Sequence, residues 1–338
     1  MPRRLTNDLL LVLVLALVLS GLFGWALPVA LAQPLYDLHR ALGVAVLIVL
    51  LVWKQAIIRA SLGRRFFRAK RWDRSVIWGA IGALGLTAGV IIGVAWTLNL
   101  ISFETLWGYS PLNIHVFLGV GLLPFVGWHV WRRRKANRAS APIVSRRAAL
   151  RLAGLAVAST VGWQVMQTVA NLAIAQGQRR LSGSKQAAVL SGNNYPAEIW
   201  LFDSVPLIDQ TTWRLHLSGP LAQPVALSLD DLQRRATRSV QEVLDCTGGW
   251  WTDQVWTGVP LLAVLQQYHM LDSAEQVAVQ STTGHRIVFS VNDLDDLLLV
   301  THVGGEPLSV VHGAPVRLVA PGRRGYQWVK WVDRVEVM

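Results

Sequence analysis

Asp245-Cys246-Thr247-Gly248-Gly249-Trp250 contains the only cysteine in a chain of 338 residues, and the meaning of that cysteine decides how the C-terminal part of the chain is read. An isolated cysteine ordinarily packs as a small hydrophobe. Here two glycines follow within three positions, which permits a tight turn that presents the sulfur to a bulky ligand. A single cysteine also rules out an intramolecular disulfide, so a domain carrying it must fold on its core alone.

Outward from this stretch, short alternating runs read as strands: Trp213 to Leu217, Gln276 to Gln280, Arg286 to Ser290 and Pro315 to Val319, separated by Gly, Pro and Asp turns. Leu229 to Arg235 and Leu261 to Tyr268 read as short helices, the second following Gly258 and Pro260. A mixed α+β domain over residues 191–338 follows, preceded by a polar, small-residue linker at 177–190. His216, His269, His285 and His302 show no metal-ligand spacing, so zinc is not expected. Trp250, Trp251 and Trp256 either wall a pocket or pack in the core.

Three stretches in this domain resemble the sulfite-oxidase-type molybdopterin fold, and together they span nearly all of it. The first runs from Trp213 to Pro220, with Leu227 to Leu232 after it. The second is the cysteine loop with Trp256, Gly258 and Pro260 beyond. The third comprises His312-Gly313, Pro315, Arg317, Pro321, Gly325-Tyr326 and Val329-Lys330-Trp331. The resemblance implies that Cys246 ligates molybdenum and is the catalytic centre. It also implies that Arg317 and Lys330 anchor the phosphate of Mo-molybdopterin, with His312 and Tyr326 as hydrogen-bonding neighbours. Asn193-Asn194-Tyr195 is similar to an entry segment of the bacterial reductases of this family and puts Asn194 among the cofactor-binding residues. The chemistry agrees, because molybdenum is polarizable and a thiolate suits it. Positive charge from Arg317 or from the metal would favour that thiolate. Arg323 and Arg324 crowd into the same basic run, and a surface role stays open for each of these cations.

The rest of the chain is different in kind. Overall, 52% of residues are hydrophobic and 15% charged, too apolar for a wholly soluble protein. Residues 1–180 carry 21 Lys/Arg against 4 Asp/Glu, whereas residues 181–338 carry 11 against 16. The basic excess therefore belongs to the apolar half, where it sets membrane orientation and does not call for a nucleic-acid partner. Apolar segments at 9–31, 38–58, 76–101, 112–131 and 148–175 each approach the length that spans a bilayer. Arg3-Arg4, the run of Arg59, Arg64, Arg65, Arg68, Lys70, Arg71 and Arg74, and Arg132 to Lys135 fall on one side, which the positive-inside rule makes cytoplasmic. The loops at 32–37 and 102–111, with Pro34, Asp37, Glu104 and Pro111, face out. Domains are thus expected at 1–140, a four-helix membrane unit, and at 141–176, a fifth span. Ser145-Arg146-Arg147 at its start resembles a twin-arginine export signal; as another positive-inside pair, it leaves residues beyond 180 outside all the same.

Within the membrane half, Leu38-His39-Arg40-Ala41-Leu42-Gly43-Val44 recurs as Ile114-His115-Val116-Phe117-Leu118-Gly119-Val120, a constant offset of 76 residues. Two imidazoles at equal depth on neighbouring helices are the donor set for a haem iron, and a glycine four residues after each lets a flat macrocycle approach the backbone. The arrangement resembles the four-helix membrane b-type cytochromes and implies one haem b on His39 and His115. Interfacial hydrogen bonding is the alternative role for both. His129 lies about 21 Å further in, but its counterpart in the repeat is Trp53, which cannot ligate iron.

These readings combine into a membrane-anchored oxidoreductase with its N-terminus cytoplasmic and its C-terminal domain extracytoplasmic. Electrons would pass between the haem and molybdenum for two-electron oxygen-atom transfer on a small oxo compound, by S-oxide reduction or sulfite oxidation. The membrane quinone pool or another redox protein would be the electron partner. A non-catalytic electron-transfer component, or a pterin-binding membrane component or sensor, is the alternative.

Overall fold

The structure is a computed structural model that describes residues 2–63, 74–102, 109–135, 145–173, 179–180, 182–199, 203–219, 224–269 and 274–338. Arg64, Arg65, Arg68, Lys70, Arg71, Glu104, Pro220 and linker residues 177–178 lie outside the described residues. The chain divides into two compact units, Met1–Gly183 and Ser184–Met338.

The first unit is helical. Helix α1 (Arg3–Ala26) stops where Leu27 and Pro28 turn to extended backbone, and α2 (Val29–Ile48) begins directly after Pro28. It continues through a π-helical turn, Val49–Lys54, into α3 (Gln55–Leu62). Then follow α4 (Arg74–Thr97), α5 (Pro111–Gly121), α6 (Leu123–Lys135) and α7 (Arg146–Ala173). Ser110 caps α5 by accepting the Asn113 amide at 3.2 Å, with Pro111 in the first turn. Among the described residues, five segments are long and apolar enough to cross a membrane: Arg3–Ala26, Leu31–Ser61, Trp78–Thr97, Pro111–Trp128 and Arg146–Leu172.

One boundary departs from expectation. Residues 32–37, read from the sequence as an outward loop, are helical, and the reversal occurs at Leu27-Pro28. Pro34 sits inside α2 as its sixth residue, where its missing amide hydrogen removes one helical hydrogen bond. Helix α1 packs on α2, α2 on α7 and α4 on α5. Their shared interior is small, with Leu13, Ala45, Val46, Val49, Val90 and Leu155 at its centre. Large apolar side chains such as Leu84 and Leu172 point outward, as they do where lipid replaces water outside a helix bundle.

The second unit is built on two sheets. Its strands are β1 (Lys185–Val189), β2 (Arg214–Ser218), β3 (Val225–Ser228), β4 (Arg238–Asp245), β5 (Trp250–Pro260), β6 (Gln276–Ser281), β7 (Arg286–Ser290), β8 (Leu298–Val303), β9 (Glu306–Pro307), β10 (Arg317–Val319) and β11 (Val332–Val337). Helices α8 (Leu229–Arg234) and α9 (Leu261–Gln267) follow β3 and β5 directly. A reciprocal cap between Ser228 and Asp231 starts α8. One sheet runs β1-β5-β8-β10, with β4 also on β5 and β9 on β8; the other runs β3-β2-β11-β6-β7. The mixed α+β architecture is as expected. Residues 185–189, assigned to a linker by their polar composition, are instead a parallel partner of β5. A half-buried edge strand needs few apolar residues once backbone pairing holds it.

Alternation along β2 buries Leu215 and Leu217 and exposes Arg214 and His216. By contrast, β8 and β10 are almost wholly buried, which is why they read as continuous apolar runs.

Candidate functional site

Cys246 opens the turn of the β4–β5 hairpin. Strands β4 and β5 pair antiparallel up to Asp245 opposite Trp251, so the chain must reverse within four residues. The Gly249 amide donates to the Cys246 carbonyl at 3.1 Å, and the Cys246 amide to the Trp250 carbonyl at 2.9 Å. Gly249 has φ +89°, a region that side chains avoid. The Gly248 amide points at the Cys246 sulfur at 3.4 Å. Gly249 is therefore needed for conformation, and a Cβ at Gly248 would run into the Glu198 carboxylate, so that a side chain there would have to displace Glu198.

The thiol is half-buried and free of any disulfide, and it donates to Glu198 Oε2 at 3.1 Å. Burial first, and then the Glu198 carboxylate, push its pKa well above the usual thiol range; the Gly248 amide and Lys330 oppose the shift and lose. Arg317 interacts favourably with a Cys246 thiolate, but burial and Glu198 outweigh that in the protein alone. A metal held by the Cys246 sulfur would displace that proton.

Around the cysteine the structure gathers several of the residues singled out from sequence. Lys330 Nζ donates to the carbonyls of Glu198 at 3.0 Å and Val311 at 2.8 Å. Its pKa falls to about 7, chiefly through burial and then through the Arg317 cation. Arg317 is 2% exposed, lies against the rings of Trp256 and Trp328 at 5.6 and 5.7 Å, and donates Nη1 to the His312 carbonyl at 3.0 Å. Burial lowers the His312 pKa to about 4, with Arg317 and Lys330 adding to the effect, so the ring is neutral at pH 7. Its Nε2 donates to the Tyr195 carbonyl at 3.0 Å and its Nδ1 accepts from Ser309 Oγ at 2.7 Å. Both ring nitrogens are thus spent inside the protein, and the His312 carbonyl is what holds Arg317.

Other expectations come out differently. Asn194 is exposed. Its neighbour Asn193 is the one that ties the segment down, accepting from the Ser309 amide at 2.9 Å and donating to the Pro307 carbonyl at 2.9 Å. Tyr195 is buried and stacks on His312 with centroids 3.9 Å apart. Arg323 pairs with Asp293 at 2.8 Å, and Arg324, 4% exposed, pairs with Asp245 at 3.3 Å, although its Nε and Nη1 make no hydrogen bond of good geometry. Ser184 Oγ donates to the other Asp245 oxygen at 2.6 Å, so the residue before the cysteine is held from two sides. Tyr326 lies in the turn Gly325–Gln327, its carbonyl accepting from His285 Nε2 at 2.8 Å. Trp256 is fully buried, edge-on to Trp328 at 5.4 Å, and serves the core. Sequence reasoning missed Tyr195 and Glu198 as site residues; the signal was the Asn193-Asn194-Tyr195 string itself, with Glu198 three positions beyond it.

Buried polar atoms show that the cluster is built for something further. Tyr195 and Arg317 feel one another electrostatically, and burial raises the Tyr195 pKa to about 12. Nevertheless Tyr195 Oη and Arg317 Nε make no hydrogen bond of good geometry, an expensive state for buried donors unless a ligand completes it.

Residues 202–338 match the family of the oxidoreductase molybdopterin binding domain. These residues form a molybdopterin-binding oxidoreductase domain of the sulfite oxidase type. The molybdopterin-binding domain is similar to mouse mitochondrial sulfite oxidase, 33% identical over 165 residues that cover 39% of this chain and 30% of the mouse protein. It is also similar to the protein-methionine-sulfoxide reductase catalytic subunit MsrP of Xanthomonas campestris pv. campestris, 31% identical over 143 residues, 36% of this chain and 44% of that one. The uncharacterized oxidoreductase YuiH of Bacillus subtilis is 27% identical over 132 residues, 38% of this chain and 66% of that one. The chain thus spans less than half the length of the first two relatives. In the molybdopterin-binding domain, the fitting donors are the Cys246 sulfur for the metal and the buried cations Arg317 and Lys330, with Tyr195 Oη, for the anionic pterin.

The helical unit holds a second cluster. His39 on α2 and His115 on α5 face each other with ring centroids 5.9 Å apart and planes at 83°. His39 Nδ1 lies 2.9 Å from the Leu17 carbonyl, and His115 Nδ1 lies 2.8 Å from the Gly89 carbonyl. A carbonyl only accepts, so each Nδ1 carries the proton and each Nε2 keeps its lone pair. The two Nε2 lone pairs are the donors that would hold a metal here. A Cβ added at Gly43 or Gly119, four residues after each histidine, would meet nothing within 4 Å, leaving backbone open for a flat ring. The side chain of His129 lies outside the described residues.

Proposed function

We propose that this chain is a membrane-anchored, molybdenum-dependent oxidoreductase acting on a small oxo compound. The observation that carries the proposal is Cys246 at the tip of a glycine-shaped hairpin, beside buried cations whose polar atoms are not all satisfied within the protein. Mo-molybdopterin, when bound, supplies two-electron oxygen-atom transfer. The chain's own residues do the rest. Cys246 provides the thiolate ligand, giving up the proton it shares with Glu198. Arg317, held by the His312 carbonyl between two tryptophans, and Lys330 neutralise the anionic cofactor. Sulfite and protein-bound methionine sulfoxide, after which the relatives are named, are the first substrates to try.

The helical unit serves as electron relay. His39 and His115 hold one haem b through their free Nε2 atoms, and the membrane quinone pool or another redox protein exchanges electrons with it. The charge pattern places this histidine pair near the outer membrane surface, with the chain beyond residue 180 on that same side. Electrons then need not cross the inner half of the bilayer. The test is purification of the full chain in mild detergent with quantification of molybdenum and haem, the reduced-minus-oxidised spectrum, and turnover with sulfite and methionine sulfoxide. Absence of molybdenum from matured protein overturns the central claim. Absence of haem overturns the relay alone.

A further inference from the structure

The two imidazoles are held by the same device on two different helices. In α1 the Leu17 carbonyl receives His39 Nδ1, and in α4 the Gly89 carbonyl receives His115 Nδ1. One turn further along each helix, four residues after that carbonyl, stands a glycine: Gly21 in α1 and Gly93 in α4. A Cβ added at either would lie 3.1 Å from Cε1 of the histidine it faces. For Gly21 it would lie 3.3 and 4.0 Å from Nδ1 and Nε2 of His39; for Gly93, 3.5 and 3.9 Å from those atoms of His115. The contact pattern is thus the same on both sides, and the carbonyl and glycine recur together at an offset of 72 residues.

Helix geometry explains the pairing. A carbonyl in a helix already accepts from the amide four residues later but keeps a second lone pair. Side chains tilt toward the helix N-terminus, so the side chain at that later position normally covers the carbonyl. Glycine there uncovers it, and an imidazole edge can lie against the bare backbone and donate Nδ1–H to the free lone pair. We infer that Gly21 and Gly93 are positioning residues for the two haem ligands, fixing the tautomer and the ring plane of His39 and His115 by exposing the carbonyls of Leu17 and Gly89. This rests on the haem reading given above.

The carbonyl partner makes the imidazole a stronger donor and so favours ferric iron. Gly21→Ala and Gly93→Ala force the ring away by a few tenths of an ångström and weaken that bond. In the purified full chain each is expected to alter the low-spin ferric resonance, which reports the angle between the ligand planes. Each should also favour ferrous iron about tenfold, roughly 59 mV for a one-electron couple. Ser20→Ala removes, without adding bulk, a hydroxyl that lies 3.3 Å from His39 Nδ1 and donates to the same Leu17 carbonyl at 3.0 Å; it should shift the resonance and the potential by less than the alanine variants do, and it decides the matter for α1 if the alanine variants do not assemble. Gly154→Ala, where an added Cβ meets nothing, leaves potential and resonance unchanged. A wild-type protein without haem overturns the haem reading and this inference with it. A haem-loaded wild type whose glycine and Ser20 variants keep its resonance and potential overturns the inference alone.

Discussion

Cys246 and Lys330 carry the two sharpest expectations at the scale of single residues. Serine in place of Cys246 keeps size and the hydrogen bond to Glu198 but loses the polarizable donor. Cys246→Ser should abolish oxygen-atom transfer, remove one sulfur from the metal's coordination shell, and leave the haem spectrum untouched; full turnover in that variant would remove Cys246 from the metal site. Lys330, with its pKa lowered to about 7 by burial, is half neutral at pH 7 before any anion binds. Binding an anionic cofactor favours the charged form, so above pH 7 binding must take up a proton. Cofactor loading in vitro should therefore weaken as pH rises above about 7, approaching about tenfold per pH unit. Lys330→Arg, which stays charged, should flatten that dependence. An equally steep profile in the arginine variant would assign the pH dependence to another group. The cysteine itself was legible in the sequence because it is the only one and sits before two glycines. Glu198 was not legible as its partner, since 48 residues separate the two and nothing local joins them.

Among the elements, the β4–β5 hairpin decides whether the cysteine is presented at all. Gly249 has φ +89°, so Gly249→Ala should cost about 1–2 kcal/mol in the backbone, read as a lowered Tm of the full chain. Gly248→Ala acts through space instead: its Cβ meets the Glu198 carboxylate, so molybdenum content should fall by more than stability does. Equal losses in both measurements would reduce Gly248 to a stability residue. The hairpin is also held from beneath by Asp245, between Ser184 and Arg324. That explains why Arg324 is spent on structure although it stands in a basic run that reads as a phosphate grip. Linear charge density counts cations but not the carboxylates that fold against them. In the helical unit, the expected loop at 32–37 fails for a comparable reason. Proline and aspartate signal a turn, yet here both lie within α2, whose packing on α1 and α7 overrides the local signal, and the break falls at Leu27-Pro28, where the backbone is extended on both residues.

The whole molecule joins a basic apolar half to an acidic mixed-sheet half, and the prediction at this scale concerns delivery. If Ser145-Arg146-Arg147 is an export signal read by its twin arginines, replacing Arg146 and Arg147 with lysine keeps the charge but traps the outer domain inside. Protease protection of intact versus opened cells would show it. Normal export in the lysine variant would leave the pair as a positive-inside cluster. Either outcome leaves the helical unit with five segments able to cross a membrane.

Composition and periodicity by themselves determined the two halves, the five apolar spans and the alternating strands, because burial pattern and turn chemistry are local and survive in a linear string; the three motif stretches were legible through their resemblance to a known family. The histidine repeat was equally visible, being a fixed spacing. Only tertiary structure decided what those residues do to one another. It set the thiol against Glu198 and spent both nitrogens of His312 inside the protein. It also paired Arg324 with Asp245 and laid the imidazoles of His39 and His115 each on a bare helical glycine. Long-range packing makes these contacts, and the desolvation that comes with it fixes the charge states of Cys246, His312 and Lys330, which no sequence interval encodes.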